Sequence, residues 1–273
     1  MTREQLISEI KSKSSYLCVG LDSELEKLPP SILQGTDPVF SFNKAIIDAT
    51  RDLCVSYKIN TAFYEAQGVK GWEAMQQTVE YIGEDHFRIA DAKRGDIGNT
   101  SDQYARAFFD TLPFDAVTVA PYMGEDSVTP FLKRKDKWAI VLGLTSNKGA
   151  MDFELQWMGE QRLYEKVLNK VSQWGTIENL MFVAGATQSS EFVNIRNILP
   201  DHFLLVPGIG AQGGSLEEIS SKAMNKDCGI LVNASRAILF SSSGSDFAEA
   251  ARKVALAYQK KMSEYLAQFA FSI

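Results

Sequence analysis

The feature that most constrains the fold is a recurrence: eight short runs rich in Val, Ile, Leu and Ala, each bounded by turn residues, alternate with longer amphipathic stretches. The runs are Tyr16 to Asp22, Val55 to Asn60, Phe87 to Lys93, Ala116 to Ala120, Trp138 to Leu144, Leu180 to Ala184, Phe203 to Pro207 and Gly229 to Ser235. Most are nearly continuous in apolar residues, as parallel strands covered on both faces require. Between them Phe40 to Leu53, Glu73 to Ile82, Ser101 to Phe109, Gln161 to Trp174 and Asp246 to Gln268 read as helices, and Thr2 to Lys11 as an extra helix ahead of the first strand. Eight strand–helix units in about 250 residues predict the α/β class and a (β/α)8 TIM barrel in preference to an open doubly wound sheet. No linker composition, low-complexity tract or charge run interrupts the series, so a single domain over residues 1–273 is expected.

The chain has 273 residues, 45% of them hydrophobic, enough to bury one large core. Its longest apolar runs, Trp138 to Leu144 and Phe203 to Val206, are too short to cross a bilayer, and Met1 to Ser15 is charged and lacks a signal-type apolar core. The expectation is a cytoplasmic protein with no membrane partner. A net charge of -6 gives no electrostatic footprint for nucleic acid, so an anionic ligand must be held locally. Cys18, Cys54 and Cys228 form no CxxC pair and read as small buried hydrophobes in a reducing compartment. The only histidines, His86 and His202, cannot build a three-histidine metal site. Both precede strands, the third and the seventh, which assigns them structural or solvent roles on the face opposite the active site. The chemistry is therefore sought among Asp and Lys.

A TIM barrel carries its site at the carboxyl ends of its strands. Those ends hold Asp22 after strand one, Lys58 in strand two, Asp91 and Lys93 closing strand three, and Asp96 just beyond. Alternation sends Asp91 and Lys93 to one face, so five charged groups are expected at one mouth. Such an array can be a structural ion-pair network, but burying alternating charges seldom stabilises a fold better than apolar packing, so function explains it better. A lysine held between carboxylates keeps its charge and its place, which suits a proton donor to a developing carbanion.

The second cluster is PGIGAQGG, Pro207 to Gly214, ending strand seven, with NASRA, Asn233 to Ala237, ending strand eight. Gly208, Gly210 and Gly213 satisfy the dinucleotide fingerprint, yet they lie on the seventh strand and no acid follows to hold a ribose. The same glycines fit a phosphate loop of backbone amides, to which Arg236 would add a bidentate contact. Read as a plain glycine-rich turn with a surface arginine, the segment would leave the charge array opposite it unexplained.

FRIADAKRGDIGNTS, Phe87 to Ser101, together with VGLD, YKIN and PGIGAQGG, resembles the orotidine 5′-phosphate decarboxylases, in particular their longer bacterial subgroup. The resemblance covers essentially the whole barrel. It implies a homodimer with shared active sites that converts orotidine 5′-phosphate to uridine 5′-phosphate in de novo pyrimidine biosynthesis, with no metal and no organic cofactor. By residue matching, the catalytic set would be Lys58, Asp91, Lys93 and Asp96, the last reaching in from the partner subunit with Ile97 and Thr100. Asp22 would contact the ribose, Ser146 the pyrimidine ring, and Gln212 and Arg236 the phosphate. Two alternatives differ in class. A metal-dependent sugar-phosphate decarboxylase of the same superfamily would be expected to carry Glu where Lys58 stands, since an ammonium there opposes a divalent cation. A non-enzymatic nucleotide-sensing barrel would need only the phosphate clamp. The stretch Met151 to Met158 reads equally as a lid, a dimer contact or a packed surface loop.

Overall fold

Each apolar run becomes a strand whose side chains are shut away on both faces, and eight such strands bury their hydrogen-bonding edges only by closing on themselves. The computed structural model describes residues 1–209 and 214–271. Its barrel strands are β1 (Leu17–Gly20), β2 (Ser56–Asn60), β3 (Phe87–Arg94), β4 (Ala116–Val119), β5 (Trp138–Leu144), β6 (Leu180–Ala184), β7 (Phe203–Pro207) and β8 (Ile230–Ala234). All pairings are parallel, and β8 returns to β1 through Leu17 opposite Val232. The expected (β/α)8 barrel is therefore present, with strand limits within two residues of those read from the sequence. Full burial of each Val, Leu, Ile or Phe side chain contributes about 1.5–3 kcal/mol, which is why the runs are so nearly continuous.

The helices turn one stripe inward. In Pro38–Thr50, proline opens the first turn and Val39, Phe42, Ile46 and Ile47 are buried at the spacing of one helical face. The amino-terminal helix Arg3–Lys13 sits ahead of β1 as expected. Beside it the amino end of the barrel is tied by Asp115, which accepts from Arg88 at 2.8 Å and from the Met1 amine at 2.8 Å. His86 and His202 also lie at this end: His86 Nε2 is 2.8 Å from the Arg51 carbonyl, and the His202 ring packs edge-on to Phe182. The three cysteines are free and buried.

Two departures have local causes. The helix expected from Gln161 begins at Leu163, because Gln161–Arg162 pairs back on Trp157–Met158 as a two-residue antiparallel ladder. The helix expected over Ser101 to Phe109 begins at Gly98 and passes at Ala107 into a π-helical turn, Ala107–Thr111. The stretch from Met151 to Met158 is surface, with Met151, Phe153 and Trp157 each more than three-fifths exposed.

Candidate active site

β3 is buried along its first four residues and opens over its last four, so its carboxyl end forms the wall of a cavity of about 280 Å³. Neighbouring register aligns the charges: Gly20 lies opposite Lys58 and Asn60 opposite Asp91. Lys58 is 3% exposed and reaches Asp91 Oδ2 at 2.9 Å and Asp22 Oδ1 at 3.4 Å. Lys93 Nζ reaches the other Asp91 oxygen at 2.6 Å. Asp91 thus bridges two ammonium groups, one shut in and one half-exposed.

The electrostatics follow from that bridge. Burial alone would push the Asp91 carboxyl up, but Lys58 and Lys93 hold it well below the usual carboxylate range. Burial alone would push Lys58 down, and Asp91 and Asp22 hold it above its ordinary value. Asp91 and Lys58 are therefore both charged near neutral pH.

Asp91 and Lys93 do meet, though not by simple alternation. The pairing of β3 with β4 shifts register between Ala90 and Arg94, and Lys93 is in the left-handed region at φ 46°. A non-glycine residue there costs on the order of 1–2 kcal/mol. Thr118 offsets it, accepting from the Lys93 amide at 2.9 Å and donating to Asp91 Oδ1 at 3.1 Å.

Of the five charged groups expected at the mouth, four line the cavity and Asp96 does not. The chain leaves β3 through Gly95–Ile97 into the helix Gly98–Arg106, which carries Asp96 off the wall; its carboxylate accepts from the Ile97 amide at 2.8 Å. Ile97 is 53% exposed, and Thr100 is exposed as well. Ser146 lines the cavity on a segment anchored by Glu154, which accepts from the Thr145 amide at 2.7 Å and from its hydroxyl at 2.8 Å. A Cβ at Gly185 would stand 2.6 Å from the Ser146 amide, so only glycine admits this approach.

Across the cavity Gly208 has φ 102°, a conformation open to glycine, and its carbonyl accepts from the Gly214 amide at 3.4 Å. Arg236 opens the short helix Arg236–Leu239, lines the cavity and is exposed rather than buried in a pair. Gly210, Gln212 and Gly213 lie outside the described residues.

Several lining residues were not anticipated as contacts: Asn60, Thr118, Thr145, Asn233 and Ser235. Asn233 Oδ1 and Ser235 Oγ are buried without a hydrogen-bond partner, on residues that line the cavity. Their presence in NASRA was the one available signal. Thr118 gave none, because a threonine in an apolar strand reads as core. Among the described residues no group of three His, Cys, Asp or Glu side chains is placed to hold a metal ion, and no helix is long and apolar enough to cross a membrane.

Fold and site together define a (β/α)8 barrel with a charged, ligand-sized cavity at the carboxyl ends of its strands. The family model "Orotidine 5′-phosphate decarboxylase / HUMPS family" matches residues 15–254. An orotidine 5′-phosphate decarboxylase of Bacteroides fragilis is 57% identical over 270 residues, covering 97% of this chain and 98% of that one. The solved Leishmania donovani OMP decarboxylase is 33% identical with a TM-score of 0.82, over 97% of this chain and 100% of that chain. The Leishmania donovani UMP synthase matches at 34% identity and a TM-score of 0.82; the match spans 94% of this chain but 56% of that longer one. The chain belongs to the orotidine 5′-phosphate decarboxylase / HUMPS family.

Proposed function

We propose that this chain decarboxylates orotidine 5′-phosphate to uridine 5′-phosphate in pyrimidine biosynthesis, as a single-domain barrel that pairs into a cytoplasmic homodimer. The observation that carries the reading is the Lys58–Asp91–Lys93 bridge in the cavity wall. Breaking the bond from ring carbon C6 to the carboxylate leaves the electron pair on C6 as carbon dioxide departs. Lys93, half-exposed at the cavity and tethered by Asp91, stabilises that charge and transfers a proton from Nζ to C6; solvent then reprotonates the amine. Lys58 keeps Asp91 ionised and in place. Substrate phosphate lies across the cavity at Gly208 and Arg236, with Gln212, Gly210 and Gly213 completing the loop, and that remote binding energy holds C6 against Lys93.

Asp22 takes the ribose and Ser146 the pyrimidine ring, both supported by their position on the cavity lining. Asp96, Ile97 and Thr100 serve the cavity of the second copy, a role supported by their place off the wall of their own cavity and by the exposure of Ile97. Both oxygens of Asp91 are taken by ammonium groups, a donor set that opposes a divalent cation and supports a reaction without metal; that no organic cofactor takes part is what the family resemblance implies. The buried, unpaired cysteines suit a reducing cytoplasm. Carbon dioxide release from orotidine 5′-phosphate in excess chelator tests the reading. Turnover that vanishes with chelator and returns with magnesium would favour the sugar-phosphate alternative.

A further inference from the structure

Arg94 directly follows Lys93, yet its side chain does not line the cavity. It folds back along its own strand, where Nη1 donates to the Ala92 carbonyl at 3.0 Å and so spans Lys93 from behind. Nη2 is paired with the Glu65 carboxylate. The guanidinium carbon lies 5.3 Å from the ring centres of both Tyr104 and Phe108, and buried Nε has no hydrogen-bond partner. The planar group is thus held by its outer nitrogens and by two aromatic rings, an arrangement open to arginine and not to lysine. Its anchors come from three places: Glu65 ends the helix Ala62–Glu65 after β2, Ala92 is in β3, and Tyr104 and Phe108 lie beyond the Asp96 loop. The Arg94 carbonyl is fixed as well, accepting from the Ala120 amide at 2.8 Å.

These contacts converge where the backbone is least comfortable. Lys93 stands in a left-handed conformation at a register shift, and such a conformation persists only where its surroundings over-determine it. Thr118 holds the amide of Lys93; the Arg94 side chain holds the carbonyl of the residue before it, Ala92. We infer that Arg94, clamped among Glu65, the Ala92 carbonyl and the Tyr104 and Phe108 rings, is a positioning residue that sets the turn at Lys93 and so the location of its ammonium beside Asp91. The inference rests on Lys93 being the proton donor proposed above. Arg94 touches neither substrate nor product, so its effect falls on the chemical step.

The test measures kcat with orotidine 5′-phosphate, the Kd of uridine 5′-phosphate and the Tm for the wild type, Arg94→Ala and Arg94→Lys. Wild-type turnover checks the functional reading independently. Arg94→Ala is expected to lower kcat on the order of 100-fold, as a displacement of about 1 Å at a reacting group does, while product affinity stays near wild type. Arg94→Lys should recover part of kcat, since it can reach Glu65 but cannot hold Ala92 and the rings together. A wild-type kcat in Arg94→Ala, or equal losses in kcat and product affinity, overturns the inference. Should Arg94→Ala fail to fold, Glu65→Ala decides: it leaves Arg94 its rings and its carbonyl, and is expected to show the same split with a smaller fall. An unchanged kcat in that variant also overturns the inference.

Discussion

Lys58→Met removes one charge from the buried end of the array and little else. The Lys58 side chain is 4% exposed, and methionine keeps an unbranched stem in its place. Asp91 loses its 2.9 Å partner and Asp22 its 3.4 Å partner. Taking one member from a buried ion pair costs about 3–5 kcal/mol when the other is left alone. Asp91 is not left alone, because Lys93 at 2.6 Å and Thr118 at 3.1 Å remain. The expected destabilisation is therefore about 2–3 kcal/mol at pH 7, part of the buried-pair value. Urea unfolding measures it. The double variant Lys58→Met/Asp91→Asn should be more stable than Lys58→Met, since the lysine it leaves unpaired, Lys93, is 52% exposed and solvated. The pH dependence has a fixed sign. A carboxyl depressed in the folded state contributes stability that is present above its unfolded pKa, 3.8, and lost as pH falls through the folded value. The gap between wild type and Lys58→Met is thus full at pH 7 and narrows on acidification below 3.8. A Lys58→Met protein within about 0.5 kcal/mol of wild type, the range of ordinary surface changes, would refute the reasoning. So would a double variant whose loss equals the sum of the two singles, because contacting residues in one network must couple.

Lys93→Ala should abolish nearly all turnover of orotidine 5′-phosphate and still bind uridine 5′-phosphate in a calorimetric titration, since the phosphate end is across the cavity; substantial remaining turnover would remove Lys93 from the proton-donor role. If the sites are shared, Asp96→Ala and Lys93→Ala homodimers are each nearly inactive. Mixing them under exchange should restore about a quarter of wild-type activity, because half the dimers are mixed and each of those holds one intact site of two. No recovery despite demonstrated exchange would place Asp96 within its own chain's site. Burial, helped by Lys13 at His86 and Arg196 at His202, lowers both histidines from 6.5 to about 4. The excess of protons on the unfolded chain's two histidines over the folded chain's therefore grows from about one at pH 6.5 to nearly two at pH 5, and stability falls as pH falls. His202→Phe should remove about one of those protons from the slope of stability against pH, and an unchanged slope would show that His202 is protonated in the folded protein.

The sequence by itself determined the number and kind of strands, because burial on both faces of a parallel sheet leaves a nearly continuous apolar signature in each local run. It also determined which charges stand toward the carboxyl ends, since Asp22, Asp91 and Lys93 follow or close such a run and Lys58 stands in the second half of one. Tertiary structure decided what those charges do. Alternation pointed to the meeting of Asp91 and Lys93, but the register shift against β4, the left-handed Lys93 and the support from Thr118 arise only when a neighbouring strand is docked. Asp96, three residues past Lys93, is carried off the wall because the direction of the loop is set by where the next helix packs. Arg94 reads in sequence as one more basic residue in a charged string; it becomes a clamp only when Glu65, Tyr104 and Phe108 arrive from other elements. Asn233 and Ser235 likewise join the cavity lining only once β8 closes against β1. Periodicity is a property of a short segment and survives in its sequence. Register, loop direction and the pairing of distant charges depend on contacts between segments far apart in the chain, and no local pattern encodes them.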